Sequence, residues 1–155
     1  MPIRASTKHS LKHLQLSRRL AYVFGILTPL AETFRRWGTW WDNPPAFLDD
    51  WLLGAFLIAG ALATRSPASA RGRALLAAAW GFACGMAYGS IAFHWYVMRS
   101  GQADPAPIPT EAVFAIKVLG GLLFVGALVL TLTQFDDSVS KEAKPGQSGD
   151  GIATA

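Results

Sequence analysis

The stretch that decides the fold is residues 74–98, ALLAAAWGFACGMAYGSIAFHWYVM, which holds no Asp, Glu, Lys or Arg and is bounded by Arg71 and Arg73 before it and Arg99 after it. An uncharged run of this length exceeds the ~20 residues a helix needs to cross the hydrocarbon of a bilayer. Cations at both ends suit the headgroup layers. The run therefore reads as a membrane-spanning helix. Three further apolar blocks flank it.

The block after it, about residues 111–133, is interrupted only by Glu111 at its start and by Lys117. The block before it, about 48–64, is near the lower length limit for a span. The run Asp42-Asn43-Pro44-Pro45 ahead of it cannot continue a helix, and Asp49 or Asp50 is a suitable helix start. The first block, about 18–37, is the weakest, with Gly25, Pro29 and Glu32 inside it. A cleaved signal peptide is the competing reading of this block. Cleavage after Ala31 would put Pro29 where a small residue is needed, so a retained helix is favoured. The expected fold class is an all-α membrane protein: a four-helix transmembrane bundle over 18–135, preceded by a basic segment, 1–17, and followed by a polar, disordered tail, 136–155.

Composition agrees. Of the 155 residues, 52% are hydrophobic and 15% charged, against about 25% charged in ordinary soluble domains. The net charge of +4 is dispersed at block ends and not gathered into a stripe, so nucleic acid is not an expected partner. With four spans, one side of the bilayer holds Arg4, Lys8, Lys12, Arg18, Arg19, Arg65, Arg71, Arg73, Lys141 and Lys144, ten cations, and the other holds Arg35, Arg36 and Arg99. The positive-inside rule then places both termini in the cytoplasm. The expected location is a cell membrane, multi-pass, of the bacterial inner-membrane kind, with the lipid bilayer as first partner.

Four features could carry function. Ala77, Gly81, Gly85 and Gly89 recur every four residues and form one winding stripe, which lets another backbone approach closely. Packing inside the bundle is the favoured use; a seam with a second copy or another membrane protein is the alternative. Ala55, Ala59 and Ala63 form a weaker stripe. Second, Glu32 and Lys117 lie at similar depth near the outer side and are a candidate intramembrane ion pair, since an ionisable residue in a span calls for a partner. A snorkelling Lys117 is the rival reading.

Third, Asp49, Asp50, Trp51, His94 and Trp95 form a candidate outward-facing polar and aromatic cluster. Trp37, Trp40, Trp41, Tyr96, Asp42, Arg99 and Glu111 fall at the same boundary, while Trp80 alone among the tryptophans lies towards the inner side. An aromatic belt accounts for much of this; its asymmetry favours an outer site. Fourth, His94 lies about 220° around its helix from Gly81 and reads as an interfacial residue.

No metal site or cofactor is expected. Zinc spacings, the P-loop, the nucleophile elbow and the dinucleotide fingerprint are absent from the sequence. Haem is set aside because His9 and His13 fall on the side opposite His94. Cys84, alone in an apolar block, reads as an inert thiol. The expected function is a non-enzymatic partner-binding or transport-assembly subunit. An oligomeric small transporter or channel with an outward-facing polar site is the alternative, and a small membrane enzyme the third.

Overall fold

The computed structural model describes residues 3–35, 37–38, 44–65, 69–101 and 109–142, with backbone only for 3–10, 46 and 134–142. The described residues form four α-helices and no strand: α1 (Ile3–Arg35), α2 (Pro44–Ala63), α3 (Ala70–Ser100) and α4 (Thr110–Glu142). Two of them, over Ala70–Ser100 and Thr110–Thr133, are long and apolar enough to cross a membrane.

Helix ends follow local chemistry. Ser69 caps α3, its Oγ accepting from the Gly72 N–H at 3.0 Å, and Gly101 closes the same helix with φ 69°. That left-handed conformation suits glycine. α2 begins at Pro44 and not at Asp49 or Asp50. Prolines fit the first turn of a helix because the N–H they lack would have no intrahelical partner there.

The end helices are longer than the apolar blocks. α1 starts at Ile3, so the basic segment 1–17 is helical from Ile3 on, and α4 runs past 133 to Glu142. Residues 143–155 of the expected tail lie outside the described residues. Both helices continue through polar sequence beyond the apolar blocks.

Each helix packs on two others, α1 on α2 and α4, and α3 on α2 and α4. The core between them contains Ala21, Leu53, Leu57, Ala61, Leu76, Ala79, Trp80, Ala83, Phe124 and Ala127. α1 and α4 run antiparallel in a fixed register: Ser17 bonds Thr131 at 2.7 Å, and seven residues along each helix Phe24 meets Phe124 edge-on at 5.0 Å.

The close crossing of α1 and α2 is built on Pro29. Proline has no N–H for the Gly25 carbonyl four residues earlier. Gly54 of α2 packs against that oxygen: a Cβ at Gly54 would sit 2.5 Å from it and 3.0 Å from the Pro29 ring. A Cα hydrogen of Gly54 therefore points at an acceptor that the helix itself leaves unused, a weak but favourable contact. Other close approaches are Gly60 on the Leu76 backbone, Gly72 on the Ala63 carbonyl and Gly121 on Ile91.

Candidate functional site

The glycine stripe of α3 faces away from the other three helices. Gly81, Gly85 and Gly89 are exposed, and a Cβ built on any of them meets nothing within 4 Å. Ala77, half-buried, stands at the edge of the stripe. Packing of these glycines inside the bundle is thus corrected. The buried positions of α3 include Leu76, Ala79, Trp80, Ala83, His94 and Val97. Leu76, Trp80, Ala83, Ala87, Ser90, His94 and Val97 advance by alternating fours and threes, the spacing of a bundle seam. This second pattern, present in the same sequence, is the one the bundle uses. The expected angle between His94 and Gly81 holds; which of the two faces inward is reversed.

His94 is accordingly buried, 4% exposed, and not interfacial. Its Nδ1 lies 2.9 Å from the Ser90 carbonyl, and its ring meets Phe93 edge-on. The neighbouring Ser90 side chain accepts from the Lys117 ammonium of α4 at 2.5 Å. Across the bundle, Glu32 is 6% exposed and takes a two-pronged bond from Arg35, with Nε–Oε2 and Nη2–Oε1 both at 2.8 Å. Asp50, half-buried at the start of α2, is close enough to feel the charges of Glu32, Lys117, Arg35 and Asp49. One end of the bundle thus gathers two carboxylates and two cations from α1, α2 and α4, with Ser90 and His94 of α3 beside Lys117. With all four ionised, these charges cancel.

The expected outward-facing cluster divides. Asp50 and His94 turn inward. Asp49, Trp51 and Trp95 turn outward. Trp95 stacks near Phe114 at 5.9 Å and lies under the Arg99 guanidinium at 5.1 Å, a cation–π contact. Trp37 is exposed as well; Trp40, Trp41, Asp42 and Arg36 lie outside the described residues.

Below the charged layer the bundle is closed. Trp80, fully buried, sits at the centre of the bundle's cross-section. Its ring lies 5.7 Å from Phe124 and 6.4 Å from Phe24. Its indole N–H donates to Ser17 Oγ at 2.9 Å. Thr131 Oγ1 and the Ala127 carbonyl complete a knot that ties α1, α3 and α4 together. Every polar atom in the knot has a partner, so the knot rigidifies the core. Sequence reasoning missed it. Ser17 looked like a tail residue, and a threonine such as Thr131 can satisfy itself on its own helix. The signal was Trp80, the tryptophan away from the outer boundary.

Among the described residues no three of His, Cys, Asp and Glu come together in a way that could hold a metal ion. An open groove of about 270 Å³ between α3 and α4 is lined by Cys84, Ala87, Tyr88, Ile91, Gly121 and Leu122, among others, and offers little polar chemistry. Comparisons with protein-family models, curated proteins and solved structures find no match. The functional reading therefore rests on this chain's own residues.

Proposed function

We propose that the chain is a four-span membrane protein with both termini in the cytoplasm, and that it is a non-enzymatic subunit which binds a further transmembrane helix along the outward face of α3. Support for the spans comes from the two strongly apolar helices, the ten-to-three cation bias, and large apolar side chains turned outward on all four helices. Leu27 and Leu30 on α1, Leu52 on α2, Tyr96 on α3 and Leu122 on α4 are each more than half exposed. In water, apolar surface on that scale is a liability; in lipid it is the ordinary exterior.

The observation that carries the partner-binding reading is the open space at Gly81, Gly85 and Gly89. In a bilayer, helices associate through close van der Waals packing, and small residues permit it. The glycines that serve this purpose within the chain are others, Gly25, Gly54, Gly60, Gly72 and Gly121. The α3 stripe is left for a helix from outside, either a second copy or another membrane protein. A photo-crosslinking residue placed at Gly85 should give a protein adduct of defined mass in native membranes, and one at the outward Val129 of α4 should not. Absence of an adduct at Gly85 would overturn the reading.

The charged layer favours a second reading, a small transporter with an outward-facing polar site, because Glu32, Asp50 and Lys117 come from three helices. Against it stands the closed core at Trp80, Phe24 and Phe124, which leaves no polar path through the inner half. Coupling between Glu32 and Lys117 through Asp50 is proposed as a lock on the outer ends of the helices.

A further inference from the structure

At the end of the bundle opposite the charged layer, arginines converge on the turn between α2 and α3. Arg18 of α1, half-buried, donates from Nη1 to the Thr64 carbonyl at 3.4 Å. Gly72 packs on the Ala63 carbonyl, which holds the first turn of α3, with Arg71 and Arg73, against the end of α2, where Arg65 is exposed. Lys12 and Arg19 are exposed on α1 nearby in sequence.

Four arginines, from α1, the end of α2 and the first turn of α3, thus come to one end of the bundle. Arg71 and Arg73 open α3, which has no acidic residue in its first turn, and the partial positive charge of a helix N-terminus favours an anion there. The surroundings say what kind. Leu11, Leu16, Leu62 and Leu75 are 36–48% exposed beside these cations, so apolar surface adjoins the charge.

We propose that this end is a binding site for the headgroup phosphate of an anionic phospholipid, held by Arg18, Arg65, Arg71 and Arg73, with its acyl chains along the exposed leucines of α1 and α2. The inference rests on the membrane-spanning reading. Phosphate suits arginine because the guanidinium donates two parallel hydrogen bonds to it.

The test uses the full chain reconstituted into phosphatidylcholine bilayers, with spin-labelled phosphatidylglycerol or phosphatidylcholine as probe. The expected result is a several-fold preference of the protein-associated lipid fraction for phosphatidylglycerol. That preference should be lost in the Arg18→Gln/Arg71→Gln/Arg73→Gln variant, kept in Arg71→Lys/Arg73→Lys in weakened form, and unchanged in Arg99→Gln at the other end. Should the glutamine variant not fold, the lysine variant and Arg65→Gln still report, since each must weaken the preference. Equal association of both lipids with the wild type, or an unchanged preference in the variants, overturns the proposal. So does full competition by millimolar inorganic phosphate, which would make the ligand a free ion. A chain that is washed from bilayers by alkaline carbonate refutes the membrane reading itself; a chain that stays integrated without lipid preference refutes only this inference.

Discussion

The same substitution, glycine to alanine, should have opposite effects at Gly54 and Gly85. At Gly54 the added methyl would lie 2.5 Å from the Gly25 carbonyl oxygen and 3.0 and 3.1 Å from two Pro29 ring carbons. Neither a backbone oxygen nor a proline ring can swing aside, so α1 and α2 must separate locally. Overpacking of this kind costs about 1–3 kcal/mol, and rigid neighbours argue for the upper end. Alanine returns up to ~1 kcal/mol in helix propensity, leaving a net loss of about 2 kcal/mol. At Gly85 nothing lies within 4 Å, so only the propensity gain of up to ~1 kcal/mol remains. The two variants should therefore differ by about 3 kcal/mol. Gly25→Ala belongs between them, because its nearest neighbour at 2.8 Å is the Ile58 side chain, which can shift, while the rigid Gly54 carbonyl oxygen lies farther off at 3.0 Å. Reversible unfolding in mixed detergent micelles, with the denaturing detergent as titrant, measures all three. A Gly54→Ala variant as stable as wild type, with Gly85→Ala destabilised as a monomer, would refute the assignment of inner and outer faces.

Three further outcomes follow from the core and the charged layer. Ser17→Ala leaves the buried Trp80 indole N–H without its acceptor and should cost about 1–3 kcal/mol, and Trp80→Phe in the same background should recover part of the loss; equal, additive losses would mean the knot does not couple the helices. Glu32→Gln strands a cation beside a buried position and should cost up to about 3 kcal/mol, the low end for breaking a buried pair because Arg35 is 35% exposed. Asp50→Asn and Lys117→Met should be non-additive by at least ~0.5 kcal/mol in a double-mutant cycle; simple additivity would leave Lys117 anchored by Ser90 alone.

Much of this architecture was legible in the sequence, and the misreadings have specific physical causes. The uncharged run 74–98 announces α3 because it is apolar throughout and longer than the ~20 residues a helix needs to cross a bilayer. Pro44 and Pro45 mark the boundary before α2, although they open the helix and do not merely precede it. The ends of α1 and α4 were less legible: both helices run on through polar residues where the apolar pattern that marks a span has stopped. The face of α3 was the hardest. Glycine every four residues and a seam of Leu76, Trp80, Ala83, His94 and Val97 coexist on one helix, and small residues favour whichever backbone comes near. Only the placement of α2 and α4 determines that this backbone is not one of their own. The charged layer was half-legible. Glu32 and Lys117 stood out as costly residues in apolar blocks, whereas Asp50 read as a helix start and His94 as interfacial, and periodicity alone did not separate Asp50, which turns inward, from Asp49, which turns outward.

The central claim is four spans, and cysteine accessibility tests it most directly. In a Cys84→Ala background, single cysteines replace Asn43, Ser66, Gln102 and Ser148, one in each connection and one in the C-terminal segment, and intact cells are treated with a membrane-impermeant thiol reagent. Four spans with both termini inside require labelling at Asn43 and Gln102 and protection at Ser66 and Ser148 until the membrane is permeabilised. If only α3 and α4 cross, Asn43 and Ser66 share a side and react alike, and that result would contradict the account.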